Sequence, residues 1–210
     1  MSTKHLFERY ELLVAGADKA FSKMGADYAE AIKCRPHCSD CCHAVFGLFL
    51  IEAVYLKGCF DGLETKKRDA AFSRVEESER AITELQNKLK AVDDDPNKAS
   101  LALARERIRC IFLDDSDECI LYASRPITCR VYGIPTAIQG KAHVCGKSGF
   151  DRSEAYPTFD LDSVYRELYS LSRELLEVRG SEDLEKASLL ISVSKAIKTP
   201  EEDLLNEKFE

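Results

Sequence analysis

No stretch of this 210-residue sequence is apolar for long enough to cross a bilayer. The most apolar run, Ala44 to Leu56, is short and contains Glu52, whereas a spanning helix needs roughly 20 apolar residues. The N-terminus, MSTKHLFERYELLVAGADKAF, is interrupted by charge throughout and has no apolar centre of the kind a secretion signal carries. Positive charge is not in excess: 30 Lys and Arg stand against 37 Asp and Glu, a formal net charge of −7. Such a chain has no general attraction to nucleic acid or to an anionic membrane. No internal repeat is visible. The acidic turn Asp114-Asp115-Ser116-Asp117-Glu118 lacks the glycine and the spacing of an EF-hand loop, so it reads as a solvated turn. These absences predict a cytoplasmic protein with neither a nucleic-acid nor a membrane partner.

Cysteine, by contrast, is abundant: nine residues. Disulfides are rare in a reducing compartment and an odd number of cysteines cannot all pair, so a patterned set points to metal or redox chemistry. Hydrophobic residues make up 45% of the chain, enough for a core that needs no disulfides.

Hydrophobic periodicity predicts a mostly α fold. Leu6, Tyr10, Leu13, Val14, Ala17, Phe21 and Met24 recur near the 3.6-residue period and predict a helix over about Lys4–Ile32. Pro36 ends it within CRPHCSDCCH. Phe46 to Phe60 is apolar nearly all round, as a buried helix is. A charged helix follows from about Glu64 to Val92, with a narrow apolar seam suited to a helical hairpin or a dimer contact. Asp93-Asp94-Asp95-Pro96-Asn97 breaks it, and a further helix is expected over Lys98–Arg109. Ile111-Phe112-Leu113 and Ile120-Leu121-Tyr122 flank the acidic turn as a short β-hairpin. Helices over Leu161–Val178 and Glu182–Ile197 complete the bundle, and the tail from Thr199 is expected to be loose.

The cysteines fall into two blocks. Cys34, Cys38, Cys41 and Cys42 lie within nine residues, too dense for packing alone, and gaps of two to four residues present sulfurs to one centre. Cys110, Cys119, Cys129 and Cys145 are looser and lie in irregular chain. Eight thiolates exceed one tetrahedral ion. They allow two zinc sites, two iron–sulfur clusters, one of each, or one cluster with spare thiols. Adjacent side chains diverge, so Cys41 and Cys42 are expected to serve different metals or different irons. Cys59, alone on an apolar helix, reads as a small buried hydrophobe and stays outside the site.

Basic residues accompany the thiols: Lys33 and Arg35 beside Cys34, Arg109 beside Cys110, Arg130 beside Cys129. They suit a centre with excess negative charge. Arg125 and Arg130 are the candidate cofactor-binding residues. The competing role for Arg125 is to neutralise thiolates or cap a helix end. His37, His43 and His143 are assigned to the surroundings of the metal rather than to its ligands, and Tyr122 and Tyr132 to packing.

CRPHCSDCC, followed by an apolar helix carrying Glu52-Ala53, and the later block CIFLDDSDECILYASRPITCRVYG together resemble the YkgJ-like cysteine-cluster family. That family is described as a zinc- or iron-chelating domain with a CxxCxxCC signature. The resemblance covers about residues 34 to 150, with Cys145 as the late cysteine, and departs from the signature where three residues, not two, separate Cys34 from Cys38. It implies metal chelation. A similar cluster in the flagellin lysine methylases, thought to hold a [4Fe–4S] centre, adds methyl transfer as an alternative, although no Gly-rich methyl-donor loop is present.

The combined expectation is a mostly α helical bundle with an irregular cysteine-rich metal-binding segment and one short β-hairpin. Residues 1–198 form one domain, with cysteine blocks at 34–42 and 110–145 and a helical arm over about 64–109. Residues 199–210 form a flexible acidic tail. The eight thiols hold an iron–sulfur cluster, of [4Fe–4S] type, and/or zinc. The alternatives are an iron–sulfur-dependent modifying enzyme, such as a protein lysine methyltransferase, and a zinc-stapled module that engages a protein partner through its arm.

Overall fold

The computed structural model describes residues 3–91, 102–103, 105–151 and 153–205. Helix α1 spans Lys4–Asp27 and buries Leu6, Tyr10, Ala17 and Met24 along one stripe. It stops short of Ile32 because Tyr28 leaves the helical region at φ −136°. The Tyr28 ring instead packs edge-on against Tyr156 at 5.4 Å.

Helix α2 spans Leu50–Asp61 and is buried on nearly every face. It begins later than Phe46 because the preceding segment is extended: Leu48 and Ile191 exchange backbone hydrogen bonds of 2.8 and 2.9 Å. Gly47 permits this close approach, since a Cβ there would lie 2.5 Å from Leu190 Cβ.

Glu52, 3% exposed, joins the two halves of the chain. One carboxylate oxygen accepts from Phe49 N–H at 3.4 Å and so caps α2. The other accepts from Ile127 N–H at 3.1 Å, within the second cysteine block.

The charged helix expected over Glu64–Val92 is broken into α3, Thr65–Phe72, and α4, Val75–Ala91. The break lies where the Ser73 hydroxyl donates to Ala70 O at 2.8 Å and Arg74 reaches across to Ile111 O at 3.3 Å. Helix α4 does not stand clear of the body, because Leu85 is 4% exposed and Glu79 pairs with Lys198 at 2.9 Å. The expected Asp93–Asn97 break, and residues 98–101 and 104 of the expected Lys98–Arg109 helix, lie outside the described residues. At the far end of that stretch Arg107 is already extended, bridged to Ala44.

Short elements make up the second cysteine block. Helix α5 is Ile127–Val131. The strands β1 (Thr136–Ile138), β2 (Lys141–His143) and β3 (Phe159–Asp160) form one sheet in the order β2-β1-β3. The expected hairpin about the acidic turn is reduced to one bridge, Leu113 with Cys119. The full hairpin is β1–β2, where Gln139 at φ 51° and Gly140 at φ 70° supply the left-handed pair of a two-residue turn.

Helix α6, Leu161–Arg179, starts at Asp160, whose side chain accepts from Ser163 N–H, and ends at Gly180 with φ 77°. It packs Leu168, Leu171, Leu175 and Leu176 into the core. Its buried Ser172 hydroxyl accepts from Ile51 N–H at 3.1 Å, satisfying an otherwise unpaired donor at the start of α2. The last expected helix is divided into a 3-10 turn, Leu184–Ser188, the extended pairing with Leu48, and α7, Val193–Lys198.

Within the tail expected to be loose, Glu201–Leu205 forms α8 and places Leu204 (0% exposed) and Leu205 in the core, while residues 206–210 lie outside the described residues. The acidic residues hid this anchor in the sequence. Leu204→Ala should therefore destabilise the chain by roughly 2–5 kcal/mol in chemical denaturation. A loose tail would make it neutral.

Burial drives the Glu52 carboxyl up, against its two backbone hydrogen bonds, from 4.5 to about 7. A carboxyl with a higher pKa in the fold than in the unfolded chain contributes most below pH 4.5, and that contribution disappears as pH rises through about 7. At roughly 1.4 kcal/mol per unit, wild type should lose about 3 kcal/mol relative to Glu52→Gln between pH 4.5 and pH 8. Urea midpoints of both proteins across that range check this; parallel curves would refute it.

Candidate metal centre

The two cysteine blocks meet along a short antiparallel seam. Cys110 N–H donates to Cys42 O at 2.7 Å and Ile108 N–H to His43 O at 3.0 Å. Beyond the seam each thiol has its own support. A tight turn closes between Arg35 and Cys38, with Cys38 N–H donating to Arg35 O at 3.0 Å. Its residue His37 sits at φ 65° with Nδ1 2.9 Å from Ser116 O. Cys41 and Cys42 lie on the 3-10 turn Asp40–His43. Cys119 is bridged to Leu113, Cys129 lies on α5, and Cys145 follows β2.

Seven thiols border one cavity of about 660 Å³: Cys34, Cys38, Cys41, Cys42, Cys119, Cys129 and Cys145. The eighth, Cys110, borders a smaller apolar chamber of about 70 Å³, which Cys41, Cys42, Cys119 and Cys129 also line. Those four thiols and Arg125 form the wall between the chambers. Cys59, on α2, borders neither. None of the nine cysteines forms a disulfide. Cys41 and Cys42, neighbours in sequence, each border both chambers. Among the described residues, no three His, Cys, Asp or Glu side chains surround one point closely enough to hold a bare ion.

Electrostatics favours neutral thiols in this arrangement. The contact with Cys119 and burial push Cys42 up to about 11. Burial pushes Cys110 up to about 12, Cys145 to about 11, and raises Cys34 and Cys129. The contact with Cys42, then burial, raises Cys41. Arg125 opposes the rise at Cys34, Cys41, Cys42 and Cys129. Its Nε donates to Tyr122 O at 2.9 Å and its guanidinium lies 3.6 Å above the Tyr122 ring, which holds the cation at the wall. Metal binding must take the thiol protons, so affinity rises with pH.

The other cations serve the frame. Arg130, 8% exposed, spends its guanidinium on both Asp18 oxygens at 3.0 and 2.7 Å, on Arg125 O at 2.7 Å and on Ala123 O. It ties α5 to α1. Arg109 turns away from Cys110 to Leu113 O, Asp114 O and Asp115. The acidic turn is closed by Asp114, which accepts from Ser116 and Glu118 N–H.

Three features were not singled out in the sequence. Asp40 accepts from Cys145 Sγ at 3.3 Å and from Arg107 at 2.7 Å. Burial works against its charge, but Cys145, Arg107 and Lys147 outweigh it and hold the carboxyl below its usual range. Arg107 also donates to Asp40 O. Gly133 has no room for a side chain, since a Cβ there would collide with Cys34 Sγ and lie 3.2 Å from the Phe21 ring. Asp40 lies inside the cysteine motif, but nothing in the sequence marked Arg107 or Gly133.

The model of the CxxCxxCC family, titled "Putative zinc- or iron-chelating domain", matches residues 33–146, more than half of the chain. The chain belongs to this family. No curated protein and no solved structure matches it. The matched CxxCxxCC segment contains all eight thiols of the two chambers, together with Asp40, Arg107, Arg125 and Gly133. The donor set fits the description, because sulfur-rich sites select zinc and iron–sulfur centres. Among the described residues, no helix is long and apolar enough to cross a membrane.

Gly133→Ala should displace Cys34 and lower bound metal at least several-fold with helical content unchanged. Gly16→Ala, where a Cβ meets nothing within 4 Å, should leave metal content unchanged. Elemental analysis and circular dichroism of the two proteins make the test, and full metal content in Gly133→Ala would refute the role given to this contact.

Proposed function

We propose that this CxxCxxCC chain is a cytoplasmic iron–sulfur protein whose cluster, of [4Fe–4S] type, lies in the larger chamber. The observation that carries the reading is the gathering of seven thiols and the Arg125 guanidinium about one cavity of about 660 Å³. That is too many sulfurs and too much room for one tetrahedral ion. The wider spread of the thiols, none of which close three at a time on one point, suits a cage, whose ligands sit on separate irons. When bound, such a cluster supplies one-electron redox chemistry.

The chain's own contribution is to hold and tune. Arg125 offsets the charge of thiolates at the wall. Asp40, with Arg107, orients Cys145. The apolar lining of the smaller chamber, including Ile111, Phe112 and Leu121, keeps bulk water from the inner face of the wall. Nine cysteines without a disulfide suit a reducing compartment, and a net charge of −7 favours no nucleic-acid partner.

Zinc is the second reading, favoured by Cys42, Cys110, Cys119 and Cys129, which come from separate segments of chain around a small apolar space. A zinc staple there would make the chain an interaction module, with a protein partner engaged through α3 and α4. The modifying-enzyme alternative rests on likeness of the cysteine cluster alone.

Anaerobic purification separates the readings. The cluster reading expects a brown protein with iron and acid-labile sulfide in equal amounts. A colourless protein with stoichiometric zinc and no iron would overturn it.

A further inference from the structure

The smaller chamber has a feature that thiol chemistry does not use. Away from the thiol wall its lining is apolar and includes Phe46, Leu56, Ile82, Ile111 and Phe112. Set among them is Ser78 on α4, 8% exposed. Its hydroxyl has no hydrogen-bond partner among the described residues, whereas a buried hydroxyl ordinarily has one. Ser192 and Ser194 also border the chamber, at the start of α7. Their hydroxyls bond to each other at 3.2 Å, and Ser192 Oγ accepts from Lys195 N–H. Ser78 is thus the hydroxyl left to serve an occupant. At about 70 Å³ the chamber has about half the volume of the roughly 150 Å³ apolar cavity that takes benzene, so a ring is excluded. Two waters would fit the volume at about 30 Å³ each, but each needs about two to four polar partners. The lining has no carboxylate to balance a cation. Of its two arginines, Arg109 is held by Leu113 O, Asp114 O and Asp115, and Arg125 serves the wall thiols. The space fits a neutral molecule of about two or three heavy atoms.

We infer that the smaller chamber is a binding site for a small neutral gas, of the class of dioxygen and nitric oxide, with the Ser78 hydroxyl donating to its polar end. The inference goes beyond the cluster reading and rests on it in one respect: the cluster takes the larger chamber and leaves the smaller one to the gas. Binding is non-covalent, so no bond forms and no electron moves. Its driving force is the exchange of a cavity in water for dispersion contacts with apolar side chains. A gas bound there lies against Cys41, Cys42, Cys119 and Cys129, the thiols that also border the larger chamber. One layer of side chains then separates it from the cluster, the arrangement a gas sensor needs.

The test uses the full-length chain purified without air, with iron, sulfide and zinc counted in the same samples. Two unreactive gases are the probes, xenon and nitrous oxide, each titrated under pressure and followed by the NMR signals of methyl groups. In wild type both should bind saturably, with shifts confined to the methyls of the smaller chamber, Ile82 and Ile111 among them. Ile82→Phe, which fills the space, should abolish both. Ser78→Ala should weaken nitrous oxide about two-fold or more, the loss of one hydrogen bond, and leave xenon unchanged. Should Ile82→Phe fail to fold, the wild-type methyl map and Ser78→Ala still decide. Shifts in wild type that do not saturate, or that spread beyond the chamber, overturn the inference. So does nitrous oxide binding equally to wild type and Ser78→Ala. A chain with iron and sulfide but no saturable gas site overturns the inference and leaves the cluster reading standing. A saturable site in a chain without iron and sulfide upholds the gas site and defeats the cluster reading. Stoichiometric zinc with no gas site overturns both.

Discussion

The pairing of residues 42–44 with 107–110 is the constraint on which the site depends. The two cysteine blocks are separated by more than sixty residues of sequence, and no local preference brings them together. Two backbone hydrogen bonds and the Ala44–Arg107 bridge do so. Backbone pairing is well suited to the task, because it fixes register to a single residue. Arg107 strengthens the seam through Asp40 with a charge-assisted hydrogen bond of 2.7 Å.

The seam is short and would be weak alone. Its stability comes from the helices behind it, which carry the apolar core from α1, α2 and α6 to the tail leucines. Two buried polar groups couple that core to the site. Glu52 reaches from α2 to the start of α5, and Arg130 reaches from α5 to Asp18 on α1. Both are costly to bury: Arg130 keeps its charge against the Asp18 carboxylate, while Glu52, held by two backbone N–H groups, has its carboxyl pushed up by burial. The position of Cys129 is thereby set from two sides.

Long periodic patterns were legible in the sequence. The stripe through Leu6, Tyr10, Ala17 and Met24, and the one through Leu168, Leu171 and Leu175, each gave a helix of nearly the expected span. What was not legible was every boundary imposed from afar. The interruption at Ser73–Arg74 depends on Ile111 O, and the late start of α2 depends on Ile191, partners that no window of local sequence contains. The acidic tail concealed Leu204 for a related reason: two apolar residues carry little periodicity, and only their docking against α2 gives them meaning. At the site, thiol identity and spacing were legible because sulfur chemistry is specific. The contacts of Asp40, Arg107 and Gly133 were not, since an ion pair and a missing side chain acquire a role only when the fold sets them against a sulfur.

The roles of the arginines follow from the same distinction between composition and placement. Four basic residues sit next to cysteines in sequence, yet adjacency is a poor guide to contact, because a side chain and its neighbour's generally point to different sides. Arg109 and Arg130 turn away from the thiols beside them to carbonyls and a carboxylate. Arg125, four residues from the nearest cysteine, is the cation at the wall, held there by Tyr122 and by the fixed backbone of Pro126 that follows. Its reach to thiols of both blocks lets it offset charge on either side of the wall at once. A chain that gathers eight sulfurs must supply such a group or leave thiolates to repel one another in a poorly solvated space. The Arg-Pro step within the second cysteine block is therefore as much a part of the centre as the cysteines that flank it.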